Sequence, residues 1–365
     1  MPRVLLVILQ TLLPAVAICS EPFTIMSGSG EKSPKQPQAC VDSTGAVHVT
    51  FGVGDNVYYC KLEAEKKPAP QIAFRVPNLS LGMRRGPRIA LSGDTVVISA
   101  IGGPRGKGAD GDVLVYHSHD AGKNWQGPIK VNDVAASARE GLHAMTASDD
   151  GTLWCVWLDL RIKGTQLFAS KSVDNGATWS KNQLVYRSPD GSICECCHPS
   201  IIAERNSVHV LFRNSLKGKR DMYLVSSADG GATFGNAVRL GETSWQLNAC
   251  PMDGGMLSMD NNKIATVWRR DRTLFLASVD SSAETMLGTG EQPWIASDGD
   301  RFLEVWTSKR EGDLMLKRSD STRSERIGTN ASFPVIAASH ASKTAYVLWE
   351  YRRGDNLSLQ GLKIQ

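Results

Sequence analysis

The chain has 365 residues, enough for two or three average domains or for one large all-β domain. Lysine and arginine number 41 against 37 acidic residues; the net charge of +4 gives no electrostatic basis for a nucleic-acid or anionic-membrane partner. An apolar fraction of 41% and a charged fraction of 21% exclude a disordered chain, and 34 glycines announce many turns.

Residues 1–20 read as a secretory signal. Arg3 precedes the apolar run from Val4 to Leu13, and Ala15-Val16-Ala17 offers an A-x-A cleavage site. The run is too short for a bilayer span, which takes about 20 apolar residues, and Ile18 before Cys19 argues against a lipid anchor. The expectation is a secreted or periplasmic monomer with 21–365 as one domain and no membrane contact beyond export. Loss of Arg3 and Cys19 leaves a charge of +3 and seven cysteines, an odd number with at least one unpaired thiol.

After the signal come short strands in a regular order. A small-residue or proline-led strand, a turn and a near-continuous apolar strand recur seven times. The second strands are Val47–Phe51, Val96–Ala100, Leu153–Trp157, Val208–Phe212, Ile264–Trp268, Phe302–Trp306 and Ala345–Trp349. Runs of this kind suit strands buried on both faces. Third strands follow, as at Val113–His117, Leu167–Lys171, Met222–Ser226 and Leu274–Ser278.

Between third and fourth strands an octet repeats. Ser118-His119-Asp120-Ala121-Gly122-Lys123-Asn124-Trp125 returns 54 residues later as Ser172-Val173-Asp174-Asn175-Gly176-Ala177-Thr178-Trp179. It returns after 55 more as Ser227-Ala228-Asp229-Gly230-Gly231-Ala232-Thr233-Phe234. Ser278-Val279-Asp280 is a decayed fourth copy, with Ser282 in place of the glycine. In each octet the aspartate accepts turn amides, the glycine supplies positive φ and the aromatic packs beneath. Units of about four strands mark an all-β, β-propeller fold. The count favours seven four-stranded blades over six plus an N-terminal hairpin, and Phe23–Ser27 is expected to close the ring as the last outer strand.

The octets resemble Asp-boxes (S-x-D-x-G-x-T-W), and the chain over residues 36–365 is similar to the sialidase-type, BNR-repeat propeller superfamily. Topology puts the starts of first strands and the ends of second strands at one mouth, with the octet turns at the other end. The residues so placed include Arg88, His143, Cys197, His198, Cys250, Asp159, Arg161, Arg213, Arg269, Arg270, Glu350 and Arg352.

The resemblance implies three arginines on a substrate carboxylate, here Arg88, Arg213 and Arg269, with Asp110 as acid/base, because guanidinium forks suit carboxylates. Arg270 and Glu350 would contact substrate. It also implies a Tyr–Glu nucleophilic pair, and there the chain departs. His198 stands in place of the glutamate, and Glu291-Gln292-Pro293-Trp294 occupies the segment that should open with the tyrosine.

Cys194-Glu195-Cys196-Cys197-His198 and Asn248-Ala249-Cys250 lead into neighbouring blades. The first expectation is a disulfide from Cys250 to this cluster. The alternative is a soft metal, copper or zinc, on Cys196, Cys197, His198 and Cys250. Three functions thus stand side by side. One is an exported exo-glycosidase acting on terminal sialic acid or another acidic sugar. The others are a non-catalytic glycan- or protein-binding propeller, and a metal or thiol site.

Overall fold

Seven near-continuous apolar runs need cover on both faces, and a ring of sheets supplies it. The computed structural model describes residues 21–63, 66–281 and 283–364. The expected signal at 1–20, and Ser282 of the fourth octet, lie outside the described residues. The described residues form 27 β-strands and one 3-10 turn, Gly30–Lys32, with no α-helix. No helix among them is long and apolar enough to cross a membrane.

Five antiparallel sheets of four strands follow one another at 35–75, 88–130, 143–186, 200–239 and 256–289. The sixth has seven strands, in the spatial order Phe23–Ser29, Asn356–Ile364, Thr344–Arg353, Ser324–Ser339, Gly312–Arg318, Phe302–Thr307, Glu291–Ser297. Its 16-residue strand serves twice. Ser324 to Ala331 pairs with Gly312–Arg318, and Ala331 to Ser339 pairs with Thr344–Arg353. Phe23–Ser29 lies antiparallel to Asn356–Ile364, as expected for an N-terminal closing strand.

The first strands of successive sheets lie side by side. Lys35–Val41 packs on Arg88–Ser92, which packs on His143–Ala147, followed by Ser200–Glu204, Met256–Asp260, Glu291–Ser297 and Ser324–Ser339. The last returns to Lys35–Val41. The sheets therefore radiate from one axis as propeller blades.

The core is divided among the gaps between blades. Tyr59, Phe74, Val96 and Ile98 fill the first gap, and Val97, Ile101, Trp157 and Cys155 the next. All seven residues of Val47–Val53 and of Leu153–Asp159 are buried, which explains strands without polar alternation. The Asp-boxes are turn scaffolds. The Ser227 hydroxyl donates to Asp229 (2.7 Å), Asp229 Oδ1 accepts the Thr233 amide (2.9 Å), and Ser227 Oγ accepts the Gly231 amide (2.9 Å). Val208 pairs with Ser227 while Arg213 pairs with Met222, so this box and Arg213 sit at opposite ends of the blade.

Candidate functional site

Strand ends on the mouth side bring several of the expected residues to the axis, but their partners differ from a carboxylate clamp. Arg213, ending Ser207–Arg213, is 1% exposed. Its Nε and Nη2 donate to the Asp253 carbonyl (3.2 and 3.1 Å), Nη2 also to Arg269 O (2.8 Å), and Nη1 to Arg220 O (2.6 Å). Arg88, 5% exposed, donates to the carbonyls of His143, Gly86, Pro87 and Arg84. Burial, then Arg84, draws its guanidinium down to about 9. Both arginines tie adjacent blades together through backbone oxygens.

Arg269 faces Asp253 (Nε to Oδ2 3.0 Å) and donates to Pro251 O (2.8 Å). Arg213 and Arg269 share the face of Trp245, at 5.3 and 5.7 Å from its centroid. Arg270 turns the other way, pairs with Glu284 and covers Phe275 at 4.0 Å. Asp110 stays within its own loop, accepting the amides of Arg105 (3.0 Å) and Gly106 (2.9 Å), and these bonds lower its pKa. Asp159 is held by Arg161, Ser137 and Trp157.

Three axial residues went unmarked in the sequence: Arg84, Asp253 and Gln292. Arg84 is 2% exposed, donates to Pro334 O and Gln292 O (both 2.9 Å), and lies 4.8 Å over Trp294. Burial lowers its pKa to about 10, opposed by the charges of Asp253 and Glu350. Asp253 Oδ2 accepts the Gln292 amide (2.9 Å). The signal for Asp253 was the Gly254-Gly255 pair after it: a Cβ on Gly254 would lie 2.2 Å from His198 O, so only glycine admits this approach. Arg84 carries a weaker signal, its place in the arginine- and glycine-dense run Gly82-Met83-Arg84-Arg85-Gly86.

His198 Nδ1 accepts the Gly254 amide (3.3 Å), which leaves the ring proton on Nε2. Its ring stacks on Trp294, centroids 6.0 Å apart and planes 16° apart. Burial, then Arg84, Arg88 and Arg213, holds His198 well below its usual pKa. The two departures from the Tyr–Glu pattern are thus neighbours in space. Arg84 Nε, His198 Nε2 and Asp253 Oδ1 are buried without a hydrogen-bond partner among the described residues, as is Arg269 Nε, which meets Asp253 Oδ2 only as an ion pair.

Glu350, three residues before the mouth end of Thr344–Arg353, accepts the Gln36 amide (2.8 Å) and Nε2 (3.0 Å) on Oε1. Burial raises its pKa to about 7. It lines a cavity of about 260 Å³ together with Lys35, Arg310, Phe333 and Arg352. Lys35 also lines a neighbouring cavity of about 1320 Å³, where Lys32, Lys35, Arg75, Arg85, Lys107 and Arg139 face Glu31, Asp55 and Glu140.

The seven described cysteines are all free, so the disulfide expected between Cys250 and the cluster is absent. Cys250 is exposed and stands apart, whereas Cys194, Cys196 and Cys197 are buried together with Sγ atoms 3.5 to 4.0 Å apart. His198, adjacent in sequence, is not part of this sulfur group. The contacts with Cys196 and Cys197 lower the Cys194 pKa, while burial raises that of Cys197.

The BNR repeat-like domain model matches residues 87–319. Among solved structures, the chain is similar to a protein of unknown function from Dyadobacter fermentans (15% identity, TM-score 0.57, 94% of this chain and 98% of that one). A Penicillium chrysogenum alpha-L-arabinanase gives 15% identity, a TM-score of 0.56 and 95% and 98% coverage. The Hadza microbial sialidase Hz136 gives 12%, 0.51, and 89% and 74%. No curated protein sequence matches.

Proposed function

The chain belongs to the BNR repeat-like domain family, and from that premise we propose that it is an exported glycoside hydrolase taking an acidic sugar at its axial mouth. The ring is read as seven blades, with Ser324–Ser339 counted as the outer strand of one and the inner strand of the next. The observation that carries the reading is Glu350: a buried carboxyl raised to about 7, bordering a cavity beside Lys35, Arg310 and Arg352. A carboxylic acid still protonated near neutrality can give its proton to a leaving glycosidic oxygen. Six cationic against three acidic side chains in the adjoining cavity favour an anionic substrate. The substrate carboxylate is assigned to these mouth cations, because Arg88 and Arg213 have their donors on carbonyls. Asp253, facing Arg269 with Oδ1 unpartnered, is the second axial carboxylate.

The test is a panel of chromogenic sialosides, uronides and arabinofuranosides. Glu350→Gln should lower kcat by about 10²-fold or more with KM little changed, and remove the alkaline limb of the pH profile near 7. A second reading, non-catalytic glycan binding, is favoured by the Trp294–His198 stack that stands in place of a nucleophilic pair. Calorimetric binding of acidic sugars without turnover of any glycoside would establish it over the first.

A further inference from the structure

The sulfur triad is built for something the mouth chemistry does not use. Cys194, Cys196 and Cys197 lie within four residues of one another in the loop before Ser200–Glu204, all buried, with Sγ separations of 3.6, 3.5 and 4.0 Å. These separations are far beyond a disulfide bond of about 2.05 Å. At these distances the thiols touch as hydrogen-bonding neighbours, and the same triangle fits three sulfurs around a common centre. A point equidistant from the three lies roughly 2.1 Å from each, and a shift of under about 1 Å out of their plane gives the ~2.3 Å of a metal–thiolate bond.

The loop is anchored by its backbone: the Cys194 amide donates to Arg213 O (3.1 Å), tying the start of the cluster to the end of the neighbouring strand. Met252, from the next blade, packs on the cluster. Among the described residues the cluster of groups able to hold a metal contains these three cysteines alone. The other donors of the sequence pattern point elsewhere. Cys250 is exposed, and His198 gives Nδ1 to Gly254 and its ring face to Trp294.

We propose that Cys194, Cys196 and Cys197 bind one copper(I) ion as a three-thiolate centre beside the axial mouth. The choice of ion follows from the donor set. Structural zinc is almost always four-coordinate with nitrogen or sulfur ligands, and here no fourth cysteine or histidine completes the shell. Soft thiolates with a thioether alongside select copper(I), which accepts three sulfurs. No redox step is involved, and the thiol protons leave to solvent as the ion binds. The residue after Met252 is Asp253, so an ion here would fix the segment that carries an axial carboxylate.

The experiment uses the whole protein, reduced and anaerobic, titrated with copper(I) against a chromophoric copper(I) chelator, with copper-edge X-ray absorption of the product. The expected result is one copper per chain in a shell of three sulfurs. Cys196→Ser and Cys194→Ser should each weaken retention by at least 100-fold, while Cys250→Ser and His198→Ala retain it. Melting curves of the metal-free forms separate loss of binding from loss of fold. Cys196→Ser, at the least buried of the three positions, is the variant of choice if the others fail to fold. The proposal is overturned by sub-stoichiometric copper in the folded native protein, by one equivalent of zinc held in preference to copper, or by equal loss on Cys250→Ser. Glycoside turnover is not the readout, so failure here leaves the assignment of Glu350 untouched.

Discussion

Glu304 lies in the middle of Phe302–Thr307, fully buried, with neither carboxylate oxygen partnered among the described residues. Burial raises its pKa to about 7. A carboxyl whose folded pKa exceeds its unfolded value binds protons more tightly when folded. Its contribution is therefore fully present below pH ~4.5 and lost as pH rises towards 7. Glu350 adds to the same slope. Glu304→Gln should leave urea stability near native at pH 4.5 and raise it by about 2 kcal/mol at pH 8. An unchanged difference across that window would show that the carboxyl finds a partner. Arg213→Lys tests another buried charge: an ammonium cannot reach Asp253, Arg269 and Arg220 carbonyls together, so a loss of roughly 2–4 kcal/mol in unfolding free energy is expected. At this scale the sequence told which end of a strand each arginine occupies, because strand order sets that. It could not tell whether the guanidinium donors were free, since their acceptors are carbonyls of any residue type, 7 to 56 positions away.

The octet turns show how a local motif becomes a joint between elements. A Cβ on Gly231 would meet the Trp154 ring of the preceding blade at 2.1 Å, and one on Gly122 would meet Tyr59 at 2.2 Å. Both glycines also have positive φ, +75° and +85°. Gly231→Ala should therefore lower stability by about 2–4 kcal/mol, measured by denaturant unfolding, whereas Gly191→Ala, with open space and positive φ, reports the backbone part alone. Strands were legible because burial on both faces leaves unbroken apolar runs, and the octets because their hydrogen bonds demand particular side chains. Nothing in the sequence marks Ser324–Ser339 as one strand. Its two pairing halves meet around Asn330 and Phe333, both at positive φ without a glycine to mark the bend. The cysteine cluster was legible as an unusual pattern, but its membership was not. Blade adjacency alone places Cys250 beside the cluster, and only the path of its loop, which leaves it exposed, excludes it.

For the molecule as a whole, the ring closes where Ser324–Ser339 packs on Lys35–Val41, and Phe23–Ser29 covers the outer edge of Asn356–Ile364. A chain beginning at Gly30 should melt several degrees lower than one beginning at Glu21 and associate through the exposed edge, both visible by calorimetry and light scattering. Equal melting would show that this strand only decorates the ring.

The doubly paired strand Ser324–Ser339 gives the ring a stiff side. Between the other sheets the contact is side chain against side chain, which allows neighbours to slide or part. Along this strand the chain passes from one blade to the next with no loop between: Ser324 to Ala331 is laddered to Gly312–Arg318, and Ala331 to Ser339 to Thr344–Arg353. Breathing of the ring must therefore concentrate elsewhere along its circumference. The wall that bears Glu350 would act as the fixed jaw, and the sheets at 35–75 and 88–130, which border the larger cavity, as the moving one.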